Sequence, residues 1–280
     1  MDAPIKIRRS RRSSKIKGLL LSAWEYRYFI LSSIKVEFKG RFARSRLGAL
    51  WIILHPLIQA ATFALVLGQL LSGRLPDMAD NKLAYPIYLL SGTLAWALFT
   101  EVVIKCLTMF IDNANLLKKM VFPKVCLPLI VTGSALVNNV FLLTAILLVV
   151  IVLGFIPGSN IVWIPVLTVV NLALALGIGL IIGVLNVFMR DIGQVVTVVL
   201  QLAFWFTPIV YSPNIVPEAL QGWMKLNPMF WVVQGYQNAV LYNVPPSWLQ
   251  LSWVSLLALV LLAISMVLFK RASSEIVDAL

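Results

Sequence analysis

The sequence predicts an all-α integral membrane protein: six transmembrane helices, an N-terminal amphipathic interfacial helix, and two short re-entrant helices between spans five and six. Three observations predict this class. Of the 280 residues, 60% are hydrophobic and only 12% are charged, about half the charged share of a soluble domain. Apolar runs of about 20 residues, the length that crosses a bilayer, recur along the chain. Basic residues are concentrated at one end, where 13 of the 23 precede residue 47.

The basic N-terminal region divides into two parts. Residues 1–15 are basic and contain serines, which predicts a disordered tail. Residues 16–46 carry apolar side chains at intervals of three or four, which predicts a helix with one apolar face. Because lysines and arginines are interspersed, this helix is expected to lie in the cytoplasmic interface against lipid phosphates. Arg41, Arg44 and Arg46 are the candidate lipid-phosphate ligands, with simple topology anchoring as the alternative.

The formal net charge of +12 is also compatible with binding to nucleic acid. Basic segments beside membrane spans, however, remain cytoplasmic and lie against anionic lipid. The charge therefore favours membrane lipid, and no nucleic acid, as the partner of this region.

Six spans are predicted within a transmembrane domain at residues 47–271. The loop at 112–124 is basic and Lys270-Arg271 follows the last span, so the positive-inside rule places both of them, and both termini, in the cytoplasm. A cytoplasmic tail at residues 272–280 is expected to follow. The predicted spans are 47–71, 86–110, 127–155, 161–189, 194–211 and 248–269.

Residues 212–246 form the predicted re-entrant segment on the outer side. They contain five of the 14 prolines, and the apolar run at 229–241 is too short to cross a bilayer. Two short helices that dip partway into the outer leaflet reconcile these facts, because irregular backbone at membrane depth is tolerated only inside protein or beside water. Pro217 and Pro228 suit the first turns of these helices.

The residue patterns of common enzymes and pumps are not found. The sequence contains no P-loop motif, so this chain is not expected to bind ATP in the P-loop manner. Glu101 and Lys105 lie four apart near a helix end, where they are expected to pair rather than to carry an ion. A membrane glycosyl- or prenyl-transferase would need paired carboxylates, and the nearest, Asp77 and Asp80, are predicted to lie outside. The apolar spans and the missing P-loop indicate a transport pathway whose energy source is not part of this chain.

Several short stretches recur in a specific order from about residue 35 to 240. They are FKGRF at 38–42, SRLGALW at 45–51, HPL at 55–57, VFPK at 121–124, LPL at 127–129, RDIGQ at 190–194, TPIVY at 207–211 and LNP at 226–228. Their order and spacing resemble the membrane subunit of bacterial polysaccharide ABC exporters, the type-2 exporter permeases. Members of that family move O-antigen, capsule or teichoic-acid polymers.

The resemblance implies a homodimeric permease in the bacterial inner membrane, joined to two copies of a separate ATP-binding subunit. It implies that ATP and Mg are bound by that subunit and that this chain binds no cofactor itself. It also implies a lipid-linked glycan, typically on undecaprenyl diphosphate, as the substrate, with O-antigen favoured. A permease for a drug or small lipid, and a membrane glycosyl- or prenyl-transferase, remain the alternatives.

The resemblance makes the loop between spans two and three a coupling element that seats on the ATPase. A short helix is predicted at 115–120, ending before a proline. An ordinary basic loop is the alternative. The candidate coupling residues are Asn113, Leu117, Lys118, Met120, Phe122, Pro123 and Lys124.

Aromatic residues recur in several predicted spans. Because sugars stack their apolar faces on aromatic rings, an aromatic-lined channel suits a glycan, whereas a membrane-interface belt is the alternative and applies best to Tyr88, Trp96 and Tyr211. In a homodimer, the re-entrant helices would meet over the pathway as an outer gate at Phe230, Trp231 and Tyr236, with a lid of packing helices as the alternative. The candidate channel residues are Trp51, Phe63, Phe99, Phe204, Trp205 and Phe206.

Overall fold

The computed structural model describes residues 24–42, 83–119, 123–272 and 275–276, together with single positions between 48 and 66. Within these residues, all regular secondary structure is helical. The predicted tail at 1–15 and most of the first predicted span, 47–71, lie outside the described residues.

Four of the described helices are long and apolar enough to cross a membrane, and the chain is a multi-pass membrane protein. They coincide with predicted spans two, three, four and six and confirm an apolar helix at each; the total of six spans stays a prediction. In chain order the α-helices are α1 (Arg27–Phe42), α2 (Ala84–Asp112), α3 (Ala114–Lys119), α4 (Cys126–Val152), α5 (Ile164–Phe188), α6 (Asp191–Phe206), α7 (Glu218–Met224), α8 (Pro228–Gln237) and α9 (Trp248–Ala272).

Helix α6 is shorter than the predicted fifth span, which was expected to run from 194 to 211. Its 16 residues extend only about 24 Å at 1.5 Å per residue, less than the ~30 Å hydrocarbon core of a bilayer. The helix stops at Phe206 because Pro208 lacks an amide hydrogen and forces the residue before it, Thr207, into an extended conformation (φ −104°, ψ 132°). Residues 207–212 continue as irregular chain.

Helix α2 lies at the centre of the bundle, packed against α4 and α5, and α9 packs on the other side of α5. Two glycines of α5, Gly179 and Gly183, form a small-xxx-small pair on the face that meets α2. A Cβ atom on Gly183 would lie 2.3 Å from the carbonyl oxygen of Cys106. Such pairs let helix backbones approach closely inside a bilayer, so this contact sets the distance between α2 and α5.

Helix α1 packs against α4, within the interfacial helix predicted at 16–46. Phe38 stacks on Phe141, with ring centroids 5.4 Å apart, and Ile34 sits over Gly133, where a Cβ atom would be only 2.4 Å from its Cδ1 atom. Gly133 and Phe141 lie well inside α4. Helix α1 therefore packs along the side of α4 between Gly133 and Phe141.

Helices α7 and α8 occupy the predicted re-entrant segment. Pro217 immediately precedes α7, and α8 begins at Pro228. The side chain of Asn227 caps α8 by accepting a hydrogen bond from the amide of Met229 (2.9 Å). How deep this pair of helices lies in the membrane stays a prediction.

Candidate functional site

A groove of about 540 Å³ lies between α2 and α6. We call it the inner groove. It combines aromatic rings with hydroxyl and amide groups, and it contains two of the predicted channel residues, Phe204 and Trp205. Its lining residues are Gln59, Trp96, Thr100, Ile104, Thr197, Leu200, Gln201, Phe204 and Trp205.

Helical spacing brings the groove residues together. Trp96, Thr100 and Ile104 are four residues apart on α2, so they share one face of that helix. Thr197 and Gln201 are likewise four apart on α6. Each helix therefore presents a continuous stripe, and the two stripes form the opposite walls of the groove.

An aromatic cluster forms one end of the inner groove. The ring of Trp96 meets the ring of Phe204 edge-on at 5.9 Å and tilts against Phe99 at 5.6 Å. Phe204 in turn contacts Trp205 edge-on at 5.6 Å. Such edge contacts fix the rings relative to one another, which leaves a rigid apolar platform beside the exposed amide of Gln201.

The structure places the predicted channel residues in three different surroundings. Phe204 and Trp205 line the inner groove, while Phe99 is buried behind Trp96. Phe206 and Trp51 are exposed elsewhere on the helices, and Phe63 lies outside the described residues. The channel role of these residues stays a prediction.

Sequence reasoning missed six residues of the groove lining: Gln59, Thr100, Ile104, Thr197, Leu200 and Gln201. For Trp96 the sequence favours the interface belt, whereas the structure places it in the groove wall. The available signal was the four-residue spacing of polar side chains within otherwise apolar helices, because an isolated polar group facing lipid is costly.

One face of α6 has no partner among the described residues, since none of its side chains is buried. Apolar side chains recur on that face at intervals of three or four, each more than half exposed. They are Val195, Val198, Val199, Leu202, Trp205 and Phe206.

An ion-pair cluster joins α1, α2 and α4. Lys105 Nζ lies 2.6 Å from Glu37 Oε1 and 3.0 Å from Glu101 Oε1, so the predicted pairing of Glu101 with Lys105 is present. Lys105 also donates to Ser134 Oγ at 2.8 Å, and Asn138 Nδ2 donates to Glu101. The cluster holds two carboxylates and one ammonium group.

The ion-pair cluster lies inside the ends of the spans. Lys105 is seven residues before the end of α2, and Ser134 is eight residues after the start of α4, about 10–12 Å along each helix. Helix α2 has 29 residues, about 13 Å more than the hydrocarbon core requires. Charged groups within apolar helices are tolerated when they are paired, as all three are here.

The predicted coupling segment contains helix α3. Asn113 Nδ2 donates to Met109 O at 2.7 Å and caps the end of α2, and the side chain of Leu117 is buried in the main core. Lys118 is exposed, whereas Pro123 and Lys124 are partly buried before α4 begins. Met120 and Phe122 lie outside the described residues.

The side chains of the predicted lipid-phosphate residues all lie outside the described part of the chain. Arg41 belongs to helix α1, but its side chain lies outside the described part of the chain, as do Arg44 and Arg46. Their role stays a prediction.

The predicted outer-gate residues are tightly packed. Phe230 is buried and meets Trp231 edge-on at 4.8 Å, and Trp231 Nε1 donates to Lys225 O at 2.9 Å. Tyr236 is fully buried, and its hydroxyl lies 2.8 Å from Thr168 Oγ1 on α5. Tyr236 thus fixes α8 to the bundle, and the gate itself stays a prediction.

The irregular chain after α6 is held by side chains from other elements. Tyr88 on α2 places its hydroxyl 2.9 Å from both Pro208 O and Tyr211 O, and Tyr85 donates to Val210 O at 3.0 Å. Gln237 of α8 also donates to Pro208 O, at 2.9 Å. Carbonyl groups that a helix would have satisfied internally therefore receive hydrogen bonds from neighbouring elements.

The chain is similar to several known transport proteins. An O-antigen export system permease protein, RfbA, of Klebsiella pneumoniae is 27% identical over 206 residues, covering 72% of this chain and 76% of that protein. RfbA of Myxococcus xanthus is 28% identical over 227 residues, 80% of this chain and 84% of that protein. The polysialic acid transport protein KpsM of Escherichia coli is 22% identical over 237 residues, 84% of this chain and 89% of that protein.

The family model described as ABC-2 type transporter matches residues 28–241. The match begins in α1 and ends in the turn after α8, the π-helical segment Asn238–Tyr242. It therefore includes the inner groove, the ion-pair cluster and the coupling segment. Because it covers well over half of the 280 residues, this chain belongs to the ABC-2 type transporter family.

Proposed function

We propose that this chain is the transmembrane subunit of an ATP-driven exporter that moves a lipid-linked polysaccharide, of the O-antigen class, from the cytoplasm across the bacterial inner membrane. The observation that carries the proposal is the inner groove, which sets an aromatic platform beside an amide and two threonines. Sugars need both surfaces, because their ring faces are apolar and their edges carry hydroxyl groups. The similarity to O-antigen and polysialic acid transport proteins supports the same substrate class.

A homodimer is part of this proposal. The exposed stripe on α6 adjoins the inner groove, since Trp205 belongs to both. A second copy packed on this stripe would close the open side of the groove and turn two half-grooves into one pathway. The apolar spacing of three and four suits packing between helices.

Two copies of a separate ATP-binding subunit would supply the energy. The ABC-2 family implies such a nucleotide-binding partner, and we assign its contact to the coupling segment at 113–124. Helix α3 is suited to this role because Leu117 anchors it in the core while Lys118 points to solvent. A rigid attachment to α2 would pass movement of the motor directly to the groove wall.

The proposed orientation places the coupling segment, the ion-pair cluster and both termini on the cytoplasmic side. The charge asymmetry supports it. Asn160 donates through its backbone amide to Asn243 Oδ1 at 3.0 Å, so the turn before α5 and the segment after α8 lie at the same end of the bundle. In this orientation that end is outside, and a cysteine introduced at Asn214 is expected to react with impermeant reagents from the outer face.

Deletion followed by analysis of glycans tests the proposed function. An exporter subunit predicts loss of surface polysaccharide together with accumulation of lipid-linked glycan in the cytoplasm. A transferase predicts that neither is made, and a drug or small-lipid permease predicts an unchanged surface. Complementation with Gln201→Leu should restore less surface polysaccharide than Gln194→Leu, a matched change at an exposed glutamine in the first turn of the same helix.

A further inference from the structure

A second recess of about 530 Å³ lies at the opposite end of the bundle from the coupling segment. We call it the outer cleft. It is bounded by α7, α8, the turn after α8, and the start of α9, and it opens to the surface at Asn214, Lys225 and Val244, which are exposed. Its lining residues are Tyr88, Ser212, Pro213, Asn214, Gln221, Lys225, Phe230, Trp231, Gln234, Gln237, Asn238, Tyr242, Val244 and Gln250.

Side-chain amides dominate the chemistry of the outer cleft. Each amide offers two N–H donors and a carbonyl acceptor, the combination that pairs with neighbouring hydroxyl groups. Lys225 is the single charged residue among those that line the cleft, and its described lining includes no carboxylate. The six amide-bearing residues are Asn214, Gln221, Gln234, Gln237, Asn238 and Gln250.

Some of the side chains that line the outer cleft are held in place by contacts within the protein. Trp231 is held by its hydrogen bond to the backbone at Lys225 and by its edge contact with Phe230. Gln221 Nε2 donates to Val216 O at 2.8 Å, which fixes the side of α7. Gln234 and Asn238 are four residues apart and face the cleft together, opposite Gln250 of α9. A ligand that binds here therefore has no entropy cost to meet for ordering Trp231 and Gln221.

These features discriminate between classes of ligand. A divalent cation would require carboxylate ligands, and a phosphate group would be matched by more than one cation or by arginine. A purely apolar ligand would displace water from the amides and leave them without partners, which is costly. A neutral ligand rich in hydroxyl groups satisfies the amides and can lie against the partly exposed ring of Trp231.

We propose that the outer cleft is a sugar-binding site that holds one or two neutral sugar units on the outer side of the membrane. The volume lies within the range of small-ligand sites. The inference rests on the proposed function for the source of the sugar, because an exported polysaccharide would pass this face after leaving the inner groove. A sugar headgroup of a glycolipid in the outer leaflet presents the same chemistry and is the second source.

Hydrogen–deuterium exchange of the full-length chain with its ATPase partner, in phospholipid nanodiscs prepared without glycosidic detergents, tests the site. The probe is a set of neutral oligosaccharides released from the host's own surface polysaccharide. Protection is expected in peptides covering 228–244. Gln234→Leu combined with Gln250→Leu should weaken this protection roughly tenfold or more, as expected for the loss of two neutral hydrogen bonds.

Gln194→Leu is the matched control, because it makes the same change at an exposed glutamine that lines neither recess and should leave protection at 228–244 intact. Nanodiscs containing an alkyl glucoside lipid form a second arm, and protection in that arm alone would support a sugar site occupied by a headgroup. Absence of protection in both arms, or equal protection in the double variant, would overturn the site.

Restoration of surface polysaccharide in the deletion strain is measured separately. A chain that restores export but shows no protection refutes the outer cleft alone. A chain that is protected by sugar but does not restore export supports the cleft and refutes the proposed function.

Discussion

Lys105 Nζ lies 2.6 Å from Glu37 Oε1, a contact that ties the N-terminal helix α1 to the central helix α2. Glu101 Oε1 lies 3.0 Å from the same ammonium group. One cation therefore balances two carboxylates and holds three helices together through Ser134 of α4. If α1 moves relative to the bundle, it must either break these contacts or move α2 and α4 with it.

Lys105→Met is expected to destabilise the folded protein and to loosen α1, because two half-buried carboxylates would face each other without a cation. We expect a loss of about 1–3 kcal/mol, in keeping with removal of a partner from a partly buried charged hydrogen bond. Thermal unfolding of the purified protein and proteolysis within α1 measure the two effects.

A double-mutant cycle provides the control for the Lys105 prediction. Adding Glu37→Gln to Lys105→Met removes one of the stranded charges, so the double variant should be more stable than the sum of the two single losses implies. Strict additivity would mean that Glu37 and Lys105 are not coupled.

Gly183→Ala is expected to destabilise the contact between α2 and α5. The added Cβ atom would lie 2.3 Å from the carbonyl oxygen of Cys106, and backbone cannot yield as a flexible side chain does, so a cost of about 1–3 kcal/mol follows from overpacking. Gly222→Ala is the matched control in α7, because nothing lies within 4 Å of its added atom and alanine favours a helix. Comparable unfolding temperatures for the two variants would contradict the close approach.

Tyr88→Phe is expected to release the irregular chain after α6 while keeping the aromatic ring in place. The change removes the hydroxyl that reaches Pro208 O and Tyr211 O, and a buried acceptor left without its donor costs about 1–3 kcal/mol. Exchange of the amides at 207–212 should accelerate. Tyr28→Phe, at a 72% exposed position on α1, is expected to change nothing measurable.

Lys118→Glu is expected to uncouple export from ATP hydrolysis without unfolding the chain. Lys118 is exposed on α3, so a change of sign there alters the contact with the ATP-binding subunit and spares the core. Co-purification of the ATPase and the amount of surface polysaccharide measure the effect, with Lys118→Arg as the charge-conserving control. If both variants export normally, the coupling role belongs to another segment.

Hydrophobic length predicted most of the described bundle. Helices α2, α4, α5 and α9 follow from long apolar runs, and their ends differ from the predicted ones for local reasons. Helix α4 was expected to reach 155 but ends at Val152, because Gly154 adopts φ +90° and provides a glycine stop. Such boundaries depend on single residues, which an average over a long apolar run does not resolve.

Contacts between distant residues could not be predicted in the same way. Tyr88 meets Pro208 across 120 positions of sequence, and Glu37 meets Lys105 only because α1 leans on α4. Both pairs depend on how helices pack, whereas hydrophobic periodicity reports only which face of each helix is apolar. The inner groove itself could not be predicted for the same reason. Phe204 and Trp205 stand out in the sequence as aromatic residues, but the face on which Thr197 and Gln201 meet α2 is set by packing.

The irregular chain at 207–212 constrains the order in which the protein can be assembled during its synthesis. A complete helix can leave the translocation machinery with its own backbone hydrogen bonds already formed, but this stretch takes donors from Tyr85, Tyr88 and Gln237. Tyr85 and Tyr88 are synthesised earlier, as part of α2. Gln237 emerges only about 30 residues after Pro208. Pro208 O therefore gains its second described donor only once Gln237 is in place. We therefore expect the chain that follows α6 to reach its final form only after α8 has docked, which would make insertion of this region a late and cooperative step in biogenesis.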